Sequence, residues 1–268
     1  MQVHGVDFSA ARSAGEKLWL ASADDDGERL RVERVRPAAD AYGPDREAAH
    51  AGLRAFVRDC EADAAVGLDC SFGLPRAVAD AESWRALVDG FGDRFDAVDR
   101  LKGDCAERAK RRTGGERTYL KRATDARTGA QSPYHWLVAA QTFYGIRDVV
   151  APLASEVSVE PMAPSPDATS LLEAYPAATL RALGLPSRRY KNDGDHPGAH
   201  ERRETILEGL REWGVSLANG VERVLLDDTG GDALDAVVAA VATARAAREE
   251  FAVEDTDAYD PLEGYIYV

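Results

Sequence analysis

Apolar residues recur along this chain with two different spacings, and the switches between them mark out its elements. Residues 3–8 form a short apolar run fit for a buried strand. "KLWLASA" and "LRVERVR" read as two more strands, separated by the turn-like Asp-Asp-Asp-Gly at 24–27. Three such neighbours predict a meander. After Pro44 the period lengthens: Ala49, Leu53, Phe56 and Val57 fall at helical spacing, which predicts a helix over 45–60. "DAAVGLDCSFGLP" then returns to a buried strand that ends at Gly73 and Pro75. The order is β-β-β-α-β.

From about 76 to about 166 the pattern is mainly helix and loop, and reads as an insertion. "TSLLEAYPAA" predicts a further strand stopped by Pro176, "HERRETILEGLREWG" a helix, and "DALDAVVAAVATA" a second, almost wholly apolar one. An acidic tail, 251–268, closes on the strand-like "GYIYV". No repeat of solenoid length is present. The expectation is one α/β domain over 1–268, with a mixed sheet of a three-stranded meander plus parallel strands, flanked by helices and carrying a largely helical insertion.

Charge changes the picture in one place. The net charge is −14, which fits a soluble protein and argues against a globally basic nucleic-acid binder. Residues 100–127 are the exception, with ten Lys/Arg against Asp104, Glu107, Glu116 and Asp125, a local +6. Cys60, Cys70 and Cys105 have neither pairing nor zinc-site spacing, which implies a reduced compartment. With no signal-like leader and no apolar run near the roughly 18 residues a membrane span needs, the expected location is the cytoplasm.

The acidic residues carry the candidate chemistry. Gly5-Val6-Asp7-Phe8-Ser9 and Gly67-Leu68-Asp69-Cys70-Ser71 share the pattern Gly, aliphatic, Asp, any, Ser. Each places an Asp at the end of an apolar strand, with Gly, Asp and Ser on one face by alternation. Ligand sites in open α/β sheets gather at such carboxyl ends, whereas a lone Asp there can simply cap a turn. Asp232 and Asp235 stand three residues apart at the start of the late helix, on one face, where like charges repel. Capping and favourable dipole interaction account for them in one reading, and a divalent cation in the other. Glu173, in "LLEAYP", is a fifth acid at a strand end.

Taken together, "GVDFS", "GLDCSFGLP", "EAYPA" and "DALDA", in this order, resemble the RNase H-like superfamily and its RuvC-like branch. More closely they resemble the predicted RNase H-like nucleases known as domain of unknown function 429, from Met1 to about Ala244. The resemblance implies an RNase H-like fold and a nuclease hydrolysing phosphodiester bonds, with two divalent ions, Mg²⁺ or Mn²⁺, held by carboxylates matching Asp7, Asp69, Asp232 and Asp235. Glu173 matches the family motif and joins the catalytic set without a clear counterpart in the general nuclease set. Such hydrolysis needs hard oxygen ligands, one ion to activate water and one to stabilise the leaving oxygen.

The implied partner is nucleic acid, DNA or RNA. Candidate substrate contacts are Ser9 and Ser71 beside the acids, Arg111, Arg112, Lys121 and Arg122 around a flexible Thr-Gly-Gly, and Lys191 in "RRYK". Internal ion pairing on a solvated helix is the alternative for the basic run. Tyr134, His135 and Trp136 read as a packed aromatic cluster, and His196 and His200 as facing water. Two other functions stay in view. One is a nucleotide-binding phosphotransferase of the actin and sugar-kinase type, although Ser9 stands where a Gly would admit phosphate and "LLDDTGG" is a weak adenosine loop. The other is a binding protein that keeps the fold without activity.

Overall fold

The computed structural model describes residues 1–254, 256 and 259–268; positions 255, 257 and 258 of the acidic tail lie outside the described residues. Eight strands form one mixed sheet: β1 (Gln2–Asp7), β2 (Trp19–Asp25), β3 (Leu30–Pro37), β4 (Ala65–Leu68), β5 (Ser158–Glu160), β6 (Ser170–Ala174), β7 (Val215–Leu217) and β8 (Ile266–Tyr267). The order is β5-β6-β4-β1-β2-β3-β7, with β8 pairing with β6. The β1-β2-β3 meander is antiparallel, and β4 and β6 extend it in parallel beside β1. This arrangement of strands and helices fits an RNase H-like fold.

Two layers cover the sheet. Alternation sends Val6 and Phe8 into a core with α1 (Arg46–Arg58) and the inserted helices, and Val3 into a second core on the opposite face. Asp45 caps α1 by accepting the Ala48 N–H, and Ala49, Leu53 and Val57 are fully buried on its inner stripe. The inserted segment is helical in pieces, the longest being α2 (Val98–Arg112) and a later one α3 (Ala139–Gly145). On the opposite face lie α4 (Ala199–Glu212) and α5 (Asp232–Arg248).

The two glycines of the repeated pattern set where α5 sits. Gly5 and Gly67 lie side by side in the parallel β1/β4 register. A Cβ on Gly5 would collide with the backbone of Ala236 and Ala240, and one on Gly67 with the Thr243 hydroxyl. The missing side chains let a helix of Ala, Val and Thr lie directly on the strands. Its N-terminus is thereby delivered to the ends of β1 and β4.

Two strands were not legible in the sequence. β5 lies within the segment read as helical and loop, and β7 follows the end of α4 directly. Each is three residues long, too short for alternation to register. The aromatic reading also changes. The rings do pack, Tyr134 through Tyr119 and His135 to Trp136, but only Tyr134 is fully buried and Trp136 is 66% exposed, so the cluster reaches the surface. No helix among the described residues is long and apolar enough to cross a membrane.

Candidate functional site

Asp7 ends β1, and Asp69 follows β4 directly, its N–H bonded to the Val6 carbonyl at 2.9 Å. The two acids therefore stand on adjacent parallel strands at their carboxyl ends. Asp232 and Asp235 open α5 on the same side, and the fields of Asp232, Asp235 and Asp69 all act on Asp7. Segments far apart in sequence thus converge through the two glycines and the helix they admit.

Lys191 lies inside this group, a placement the sequence did not suggest. Its Nζ is 2.5 Å from Asp235 Oδ2 and 3.3 Å from Asp232 Oδ1, so it is first an ion-pair partner of the acids. The Tyr190 hydroxyl donates to Asp235 Oδ1 at 2.6 Å. Arg203, wholly buried on α4, fixes this loop by donating to the Tyr190 carbonyl at 2.8 Å and pairing with Asp193 at 2.6 Å. The only sequence signal was the Tyr-Lys pair in a chain with five lysines, and its loop position hid its partners.

The capping question resolves onto a different residue. The α5 N-cap position is Gly231, at φ 73°, and Asp228 reaches across to accept the Ala233 N–H at 2.8 Å and the Gly230 N–H at 3.1 Å. Among the described residues Asp232 and Asp235 make no cap hydrogen bond; both are on Lys191 instead. "LLDDTGG" is thus a capping turn, with Lys191 lying against Gly231.

Negative charge in this group is under-compensated. Four carboxylates face one ammonium. Burial raises Asp7 well above the usual carboxylate range, with Lys191 opposing and Asp235 adding to the rise. Asp69 is pushed up to about 8 by burial and by Asp235. Asp232 is raised by burial against the pull of Lys191. Burial works against the charge of Lys191, but Asp235 and Asp7 outweigh it and hold the ammonium protonated. Asp7 is 8% exposed, and among the described residues no hydrogen bond or ion pair reaches its carboxylate. A buried carboxylate without a partner favours a proton or a cation.

The same features test the fit of a divalent ion. The donor atoms are carboxylate oxygens, the hard ligands Mg²⁺ and Mn²⁺ take, and the excess negative charge is what such an ion neutralises. As arranged, no three His, Cys, Asp or Glu among the described residues converge closely enough to hold an ion, and one Asp235 oxygen is on Lys191. The set fits in chemistry and charge, and its carboxylates do not stand close enough together to ligate one ion.

Glu173 and Arg122 form a separate arrangement. The Arg122 guanidinium, 1% exposed, donates to Glu173 Oε1 at 2.6 Å and Oε2 at 2.7 Å, and to Asp125 at 2.7 Å. Glu173 also accepts the Phe72 N–H at 2.9 Å. Arg122 is therefore not a surface phosphate contact; its charge is spent on two buried acids, and the sequence showed only its basic neighbours. Both Glu173 oxygens are likewise engaged, which makes it a fixed wall of the site rather than a free acid. Glu173 and Arg122 line a cavity of about 80 Å³ shared with Asp69, Ser71 and Gln141. The Gln141 amide donates to the Asp69 and Phe8 carbonyls at 2.6 and 3.1 Å, pinning both strand ends.

The remaining candidates divide. Ser71 lines that cavity, whereas the Ser9 hydroxyl accepts the Ala11 N–H across a turn. Arg111 and Arg112 are exposed at the end of α2 and, with Arg76 and Arg108, line an open cleft of about 790 Å³ that also holds Asp80 and Glu82. Lys121 is exposed. The basic run thus splits into a buried arginine and a solvent-facing set.

A family model described as "Protein of unknown function (DUF429)" matches residues 5–258. No curated protein and no solved structure matches the chain.

Proposed function

The chain belongs to the DUF429 family, and we propose that it is a divalent-metal-dependent nuclease hydrolysing phosphodiester bonds in nucleic acid. The observation that carries this reading is that Asp7 and Asp69 stand at the carboxyl ends of adjacent parallel strands, with Asp232 and Asp235 near enough for their charges to act on Asp7, which is buried and unpartnered among the described residues. Acids recruited only as caps would each have a backbone N–H to satisfy, as Asp228 does.

Asp7, Asp69 and Asp235, with Asp232 beside them, would hold Mg²⁺ or Mn²⁺. When bound, the metal supplies an activated water and neutralises charge on the phosphate. The protein's own part is positional. Tyr190 holds one Asp235 oxygen, and Gln141 holds the Phe8 and Asp69 carbonyls, which fixes the strand ends from which Asp7 and Asp69 project. Lys191 neutralises part of their charge and keeps a further N–H to offer a phosphate oxygen. Glu173, locked by Arg122, walls the Asp69 side of the site.

The test is melting with Mn²⁺ and with a chelator, run beside cleavage of mixed DNA and RNA substrates. A metal-dependent rise in Tm together with metal-dependent cleavage is expected. Absence of both removes the nuclease reading and leaves a binding role for the fold.

A further inference from the structure

Five large hydrophobic side chains are exposed among the described residues, and three of them, Tyr119, Trp136 and Leu137, belong to one small region of the inserted segment. The Tyr119 ring lies 4.6 Å from the His135 ring, and His135 lies 5.6 Å from Trp136. Tyr134 supports them from below: it is fully buried, sits 5.8 Å from Tyr119, and its hydroxyl accepts the Leu120 N–H at 2.7 Å. The exposure is thus built rather than frayed. Trp136 is 66% exposed, Leu137 58% and Tyr119 40%, and leaving that apolar surface in water forgoes the stabilisation that burial would give.

Charge identifies the occupant. Arg117 and Lys121 flank Tyr119 in the chain, both are exposed, and neither makes an ion pair among the described residues. They belong to the one region with a local +6 in a chain of −14. Flat rings interleaved with unpaired cations suit a polyanion that also presents flat faces. The region adjoins the acid site: Val138 and Gln141, just after Trp136, line the cavity that contains Asp69.

We propose that Tyr119, His135 and Trp136 form a stacking platform for unpaired nucleobases, with Arg117 and Lys121 taking the phosphates between them. The proposal rests on the nuclease reading and narrows its substrate to single-stranded or locally unpaired nucleic acid. In a duplex the base faces cover one another and offer the rings nothing but the ends.

Fluorescence anisotropy of labelled oligo(dT), oligo(U) and a hairpin duplex, in chelator so that no cleavage occurs, tests this directly. Wild type should bind the single strands more tightly than the duplex. Trp136→Ala should lose roughly tenfold or more in single-strand affinity, with Trp136→Phe restoring most of it. Arg117→Gln with Lys121→Gln should flatten the salt dependence by about 0.7 for each phosphate that is no longer neutralised. An unchanged Tm and Mn²⁺ response in Trp136→Ala confirms that the fold and acid site are intact. Single-strand affinity unaffected by Trp136→Ala and Tyr119→Ala overturns the platform. So does a wild-type dimer that Trp136→Ala dissociates, which assigns the patch to a second copy of the chain. Failure of the nuclease reading is recognised separately: Mn²⁺ gives neither melting shift nor cleavage while Trp136-dependent binding persists, and the platform then stands without it.

Discussion

Two groups of acids, buried around Arg122 and buried to half-buried around Lys191, lie near neighbouring strand ends, and they are compensated differently. Around Arg122, two carboxylates share one guanidinium, and both Glu173 oxygens and Asp125 receive donors within 3 Å. Around Lys191, one ammonium pairs with Asp232 and Asp235 and acts on Asp7 and Asp69 only through its field, and Asp7 has no partner among the described residues. A satisfied network rigidifies what it holds; an unsatisfied one holds negative charge ready for something else. Glu173 and Asp69 border the same cavity, so a balanced wall stands beside an unbalanced floor.

The strongest way to break this contrast is to neutralise the unbalanced side. Asp7→Asn or Asp69→Asn should abolish metal-dependent cleavage by several orders of magnitude and remove the Mn²⁺ melting shift, while stability in chelator holds level or rises. Loss of stability instead would put Asp7 on the same footing as Glu173.

On the balanced side the expected effect is on folding. Arg122→Met strands two buried acids and should cost about 3–5 kcal/mol, read as a lowered denaturation midpoint at unchanged slope. A neutral result would dissolve the distinction between the groups.

Lys191→Met sharpens the comparison, because it removes the one cation that pairs with the acid group among the described residues. The chelated protein should lose about 1–3 kcal/mol, less than at Arg122 because Lys191 is partly open to solvent. The Mn²⁺-induced rise in Tm should then exceed that of wild type. An equal rise would mean that lysine and metal do not compete for the same charge.

The pH dependence follows from the direction of the Asp69 shift. With its pKa pushed up to about 8 in the fold from 3.8 unfolded, its contribution is full below about pH 4 and is lost as pH rises through 8. Chelated wild type should therefore lose stability relative to Asp69→Asn across that window, as followed by denaturation at several pH values. A flat difference would place Asp69 in water.

The smallest effect concerns the start of α5. Asp228→Ala should cost about 1 kcal/mol as a lost cap, whereas Asp232→Asn should leave chelated stability almost unchanged. If the two exchange these outcomes, Asp232 is the cap after all.

The sequence by itself determined the meander, the strands that carry Asp7 and Glu173 and lead into Asp69, and the two long helices α4 and α5, because alternation and helical period are local properties read along one segment. It also marked Asp7 and Asp69 through their shared pattern, and Gly5 and Gly67 of that pattern stand opposite each other in the β1/β4 register. It placed Arg122 wrongly and left Lys191 as a minor phosphate contact, since nothing in either segment reveals which distant acid lies opposite a cation. Only the tertiary structure decided that Asp228 caps α5, that Arg122 balances Glu173 and that Lys191 sits among the acids. Each depends on a partner 5 to 51 positions away, and the acids of α5 reach Asp7 and Asp69 because α5 lies on Gly5 and Gly67. Charge compensation is a property of neighbours in space, and the chain order does not encode it.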